Sequence, residues 1–191
     1  MKYIIAVLLV VAASHVHAAC SEPVALDRAQ VNDLTSILES DETSENEKYG
    51  AFLELSCATD DFAKQSAIDL ALKNGGDSLR VVVTKDVTFG RETLILEPFD
   101  NGALTDEQRD WAAQKPALLF NFVHKDFEAN CIGLSSSTCQ PGHVLDICGP
   151  RVSIVYRKHV AELSMTDEGI LEGFFVPSET SLRIPVQARL R

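Results

Sequence analysis

The densest group of reactive side chains in this sequence is Cys131, Cys139, His143 and Cys148. Three thiolates and one imidazole make a complete tetrahedral donor set for zinc. None of their spacings is the short C-x2-C knuckle of structural zinc sites, and the leader described below directs the chain to an oxidising compartment, where thiols pair. The expectation is a loop pinned by a disulfide, with no metal and no cofactor.

Ser135, Ser136 and Ser137 lie in that loop, with His143 and Asp146 downstream, so a Ser-His-Asp constellation can be drawn. Gly133-Leu134-Ser135-Ser136-Ser137 lacks the second glycine of a G-x-S-x-G nucleophile elbow, and a serine run between cysteines reads more simply as a solvated loop. Past the leader the histidines are His124, His143 and His159, none with a second histidine at ligand spacing. His124 and His143 are the candidates for acid/base work in an exported hydrolase. Asp126 and Glu128 follow His124 two residues apart, so a strand continuing there places both carboxylates on one face, as paired acid/base chemistry requires.

A different chemistry is offered by Glu39, Asp41, Glu42, Glu45 and Glu47, which surround Ser40, Thr43 and Ser44. The stretch lacks the alternating acids, glycine and closing glutamate of an EF-hand loop. It reads as a solvated connection whose acids favour the next helix N-terminus, or as a docking patch for a basic protein.

Composition supports that second use. The chain carries a net charge of −11, which repels nucleic acid and anionic headgroups and favours basic partners. The charge is uneven: residues 20–61 hold eleven acids against Arg28 and Lys48, whereas residues 151–191 hold six basic and five acidic groups.

Residues 1–19 read as an export signal. Met1-Lys2-Tyr3 precedes an apolar run over 4–13, a polar stretch Ser14-His15-Val16-His17 and the small pair Ala18-Ala19. The run is too short to span a bilayer. Val16 and Ala18 suit ordinary signal cleavage; the alternative is lipoprotein processing with Cys20 lipidated, although His17 stands where an aliphatic residue is expected. The address is the periplasm or the exterior, with a membrane reached only through a lipid on Cys20. If Cys20 keeps its thiol, a Cys20–Cys57 bridge and a second bridge within 131–148 leave one cysteine over.

The elements that position these groups follow from capping and periodicity. Asp27 with Gln30 makes a capping box, and Val31, Leu34, Ile37 and Leu38 form the stripe of a first helix. Ser44 with Glu47 starts a second, with Tyr49, Phe52 and Leu53 on one side. A third, over about 60–73, is apolar nearly all round, is expected to be the most buried, and stops at Asn74-Gly75-Gly76. Leu79, Val81 and Val83 then alternate as a strand, joined by a hairpin over 86–91 to another over 93–96. A helix over Asp106–Gln114, capped by Thr105 and Gln108, precedes a strand bearing Leu118, Phe120 and Phe122 and ending at His124. His143–Cys148 and 151–157 read as a hairpin about Gly149-Pro150. Residues 171–176 form a strand, and the last alternates Leu182, Ile184, Val186, Ala188 and Leu190, with Pro185 marking a sheet edge.

The predicted fold class is α+β, an N-terminal layer of about three helices packed on a mainly antiparallel sheet. Residues 20–76 form the acidic helical region, and residues 77–191 the β region with one inserted helix, together one compact domain. The functional expectation is an exported binding protein, of inhibitor or immunity type, for a basic partner. The alternatives are an exported hydrolase and a small-molecule binder between helices and sheet.

Overall fold

Three short polar motifs set helix starts as the sequence predicts. The capping boxes Asp27/Gln30, Ser44/Glu47 and Thr105/Gln108 are all formed, opening α1 (Arg28–Glu39), α2 (Glu45–Ser56) and α5 (Asp106–Gln114). The structure, a computed structural model, describes Cys20 and residues 23–189, so the leader lies outside the described residues.

Between α2 and α5 come α3 (Asp61–Asn74), α4 (Asp77–Phe89) and β1 (Thr93–Pro98). The strand expected at Leu79, Val81 and Val83, and the hairpin after it, are therefore a helix. β-Branched residues favour strands, but Leu79 and Val83 also stand four apart, and both are buried on one face of α4 with Phe89. The start of α4 is supplied from outside. Gly76 has no side chain to cap with, and the Glu45 carboxylate of α2 accepts from its backbone N–H at 3.0 Å. The helical region thus runs through Phe89, beyond the boundary expected at residue 76.

One helical turn along α2, Lys48 is buried and its ammonium donates to the carbonyl of Asn74, the last residue of α3, at 2.8 Å. A carboxylate at a helix N-terminus and an ammonium at a helix C-terminus are both favourable against the helix dipole, so Glu45 and Lys48 grip the α3–α4 junction. The third helix is not the all-round buried element expected. Ala63, Ala67 and Ala71 form a close-packed stripe, while Phe62 is exposed. The N-terminal segment is stitched to the α2–α3 connection by a Cys20–Cys57 disulfide and by backbone bonds from Val24 N–H to Cys57 O and from Thr59 N–H to Val24 O.

The strands are β1, β2 (Leu118–Asn121), β3 (His124–Asp126), β4 (Cys131–Gly133), β5 (His143–Cys148), β6 (Arg151–Tyr156), β7 (His159–Met165), β8 (Ile170–Val176) and β9 (Ile184–Arg189). They form one antiparallel sheet in the order β2-β1-β9-β8-β7-β6-β5-β4-β3, so the α+β class with helices packed on an antiparallel sheet holds. The two strands at the ends of that order are joined only by Phe122 and Val123. Phe122 N–H donates to Glu92 O beside β1, and Val123 N–H to Gly133 O of β4. Neighbouring amides of an extended chain point to opposite sides, so this one stretch pairs with β1 on one side and β4 on the other. A Lys125–Glu92 ion pair at 2.9 Å crosses the same join. The sheet therefore closes on itself.

With β2 and β3 counted as one stave, the nine strands make an eight-staved up-and-down barrel. An interior of that size is filled by side chains or holds one small ligand. Leu94, Phe120, Ile132, Leu145, Ile154, Leu163, Leu171 and Val186 fill it on alternate positions of their strands. β9 is not an edge. Pro185 is tolerated because its carbonyl faces β1, accepting from Phe99 N–H, so its missing donor falls where the β1–β9 register has reached its end.

In an up-and-down barrel alternate turns share one end. α4 reaches three turns at one such end: Lys85 donates to Phe127 O, Val81 lies against Gly149, and Arg80 pairs with Asp167 at 2.8 Å. α4 covers that end, with α1–α3 packed on one another and α2 and α3 packed on α4. The opposite end carries the β1–β2 connection with α5, the disulfide loop, the β6–β7 turn and the β8–β9 connection.

The β7 and β8 backbones approach tightly at Gly173, where an added Cβ would collide with the Glu162 carbonyl oxygen of β7. Gly50, inside α2, has nothing within 4 Å of the same position. Gly173→Ala is expected to lower unfolding free energy by about 1–3 kcal/mol, and Gly50→Ala to raise it by about 0.5–1 kcal/mol. Urea denaturation of the two variants reads both; equal effects would contradict the packing assigned to β7 and β8.

Candidate functional site

The cysteine cluster separates. Cys131 and Cys139 are joined in a disulfide that pins the β4–β5 loop, and Cys148 is free and exposed. Cys148 stands five residues along β5 from His143, about 16 Å at strand rise and on the opposite face. The Cys20–Cys57 bridge is the one expected if Cys20 keeps its thiol, and Cys131–Cys139 is the bridge formed within 131–148, where the sequence left the partners open. No group of three or more His, Cys, Asp or Glu side chains among the described residues is arranged to hold a metal ion. No described helix is long and apolar enough to cross a membrane. Two disulfides fit an oxidising environment.

The drawn triad does not assemble. His143 and Asp146 are three apart on β5, so the strand period sends them to opposite faces. Ser136 bonds its own loop at Thr138 O, and His143 Nδ1 is buried with no hydrogen-bond partner among the described residues. His124, opposite Gly133 and in line with Val144, lies on the face away from His143. β3 stops at Asp126, whose carboxylate accepts from Ala129 N–H, so Glu128 falls in the turn instead of beside it on a strand.

All five predicted acidic residues are exposed, Glu39 at the end of α1, Asp41 and Glu42 on the α1–α2 connection, and Glu45 and Glu47 at the start of α2. They are not equivalent. Glu45 holds Gly76, and Glu47 closes the capping box with Ser44, whose hydroxyl and backbone hold its carboxyl below the usual range. Glu39, Asp41 and Glu42 carry no such duty.

What the structure brings together, and the sequence did not indicate, is a cavity of about 270 Å³ at the open end of the barrel. α5 ends over it because Thr105 starts the helix, Lys115 stops it ahead of Pro116, and Gln108 donates to Arg183 O beside β9. That seats Trp111 against Phe175 of β8, with ring centroids 5.7 Å apart. His159 of β7 stacks on the same Phe175 at 5.5 Å, and Phe120 of β2 meets Tyr156 of β6 edge-on at 6.0 Å. Leu118, Leu119 and Pro177 complete the apolar lining, and Lys115 and Glu179 supply its charges. Ser178 N–H donates to His159 Nδ1 at 2.9 Å, which fixes the ring and leaves the proton of its neutral form on Nε2. The Glu179 carboxyl is held below its usual range by its own backbone N–H and the Ser178 hydroxyl, then by the fields of His159 and Lys115. The site can hold a ring between aromatic faces and meet a polar group at its rim. It presents no nucleophile paired with a base.

No protein-family model matches the chain, and neither curated proteins nor solved structures give a significant match.

The most perturbed acid is elsewhere. Burial pushes the Asp86 carboxyl of α4 up to about 6 from 3.8. A raised carboxyl favours the folded state below pH 3.8, and that contribution is lost as pH rises through 6. Asp86→Asn is expected to gain about 1–2 kcal/mol at pH 7 and to flatten the stability profile between pH 4 and 6; denaturation midpoints across that range test it.

Proposed function

We propose that the protein is an exported binding protein whose ligand is a small molecule received at the open end of the barrel. The cavity under Trp111 carries this reading: it is concave, walled by aromatic rings from four separate elements, and edged by few polar groups. Mouths of β-barrels are a recurrent place for such sites. The cavity lies at the end of the barrel away from α4, under Trp111 of α5. The disulfides and the leader support a location outside the cytoplasm, in the periplasm or beyond the cell.

Trp111 is the one tryptophan in the sequence and lines the cavity, so its emission reports on the site alone. A screen of small ring compounds is expected to yield ligands that shift Trp111 emission and, at a hundredfold excess over Kd, raise the melting temperature by about 5–10 °C. Stabilising compounds that leave Trp111 emission unchanged would place binding elsewhere and sink this reading.

A second reading is the docking of a basic protein, as an inhibitor or immunity-type partner. The observation favouring it is that Glu39, Asp41 and Glu42 are exposed together in one turn with no structural duty. Lysine at all three is expected to abolish capture of a basic envelope protein at low salt while leaving stability unchanged. Glu45→Ala is expected to leave capture intact but cost about 1 kcal/mol of stability, as loss of a helix N-cap does. Retained capture by the triple variant would exclude this patch.

A further inference from the structure

In a chain of net charge −11, the connections at the open end of the barrel are balanced, with Arg109, Lys115, Arg157, Lys158 and Arg183 against Asp100, Asp106, Glu107, Asp110 and Glu179. The cations Lys115, Arg157 and Lys158 stand nearest the cavity. Lys115 lines the cavity, and its ammonium makes no salt bridge or hydrogen bond among the described residues. It meets Glu179 only through its longer-range field, and that carboxylate is already engaged by Ser178 and its own backbone. His159 presents the Nε2 of a ring anchored through Nδ1. Between Tyr156 and His159, both lining residues, the β6–β7 turn consists of Arg157 and Lys158 alone. The Arg157 guanidinium lies 5.2 Å from the centre of the Tyr156 ring.

That turn is an independent pointer. Arg157 and Lys158 both have positive φ, at 49° and 72°. A two-residue hairpin of this hand is ordinarily built from Asn-Gly, because side chains with a Cβ beyond Asn and Asp are disfavoured there. Two long cations hold a conformation that suits neither, in the turn beside the lining residues Tyr156 and His159 of this cavity. Backbone strain of this kind is retained where the side chains are used.

Resting on the small-molecule reading above, we propose that the cavity takes a small aromatic monoanion of the ring-carboxylate class. The ring lies against Trp111, Tyr156 and Phe175. The carboxylate accepts from the Lys115 ammonium and from His159 Nε2, and Arg157 and Lys158 draw the anion to an otherwise acidic protein. Glu179, the rim's one acid, disfavours dianions and positions the approach on the Lys115 side. A neutral isostere keeps the stacking and forfeits the ionic contacts.

The test is titration calorimetry of the purified protein with benzoate, cinnamate and 2-naphthoate, each beside its primary amide. At least one carboxylate is expected to bind about tenfold or more tightly than its amide. Lys115→Gln is expected to remove that preference while leaving amide affinity unchanged. The double variant Arg157→Asn with Lys158→Gly, which gives the turn its preferred residues, is expected to raise the melting temperature and still weaken carboxylate binding. A purely structural turn would gain stability and keep its affinity. Equal affinity for acid and amide overturns the anion assignment and leaves the cavity as a neutral-ligand site. Silence from all six compounds overturns the assignment outright, and silence of Trp111 in the wider screen takes the small-molecule reading with it.

Discussion

The structure depends on one topological constraint: the strands at the two ends of the sheet are consecutive in the chain. With only Phe122 and Val123 between β2 and β3, the sheet has to curl until β1 and β4 flank the same stretch of backbone. Closure removes the exposed edges that make open antiparallel sheets prone to pair with other chains. It also creates an inside. The alternating apolar residues of each strand become one filled core, and the two ends of the barrel become distinct surfaces that need different treatment.

Those ends are treated oppositely. One is covered by α4, which is held in place by α2, since Glu45 and Lys48 grip the α3–α4 junction at its two dipole ends. The other is covered only in part, by α5 through Trp111, and there the barrel filling gives way to a cavity. Residues of the acidic region thus serve the α4-covered end chiefly as architecture. The cavity at the open end is lined by aromatic rings, with Lys115 and Glu179 as its charges.

How much of this was legible depends on range. Capping boxes are local, and Asp27, Ser44 and Thr105 announce their helices correctly. α4 is not legible locally, because its Val81-Val82-Val83-Thr84 run has strand-like side chains, while the Glu45 carboxylate that caps it at Gly76 sits thirty-one residues away. The Ala161, Leu163 and Met165 alternation of β7 is plain in the sequence, yet it follows a turn of Arg157 and Lys158 that carries none of the usual turn chemistry. That two bridges form was legible from the compartment, but which of Cys131, Cys139 and Cys148 pair was not, because only the folded β4–β5 loop brings Cys131 to Cys139. Nor was the cavity legible, because Trp111, Tyr156 and Phe175 meet only once distant strands are in register. The histidines singled out beforehand stand apart for the same reason: period two sorts them onto faces that spacing alone does not disclose.

The up-and-down order also dictates how the barrel is assembled in time. Around the ring every neighbouring pair of strands is consecutive in sequence except β1 with β9, whose registered partners Glu97 and Gln187 are ninety residues apart. Hairpins form early because short loops lose little entropy on closing, whereas the distant pair bears the full cost of ring closure before any contact rewards it. That last pair is also the one with the shortest register and a proline beside it. Of all the neighbouring pairs in the ring, the seam is thus the one whose pairing spans the longest stretch of chain and gains the fewest registered partners.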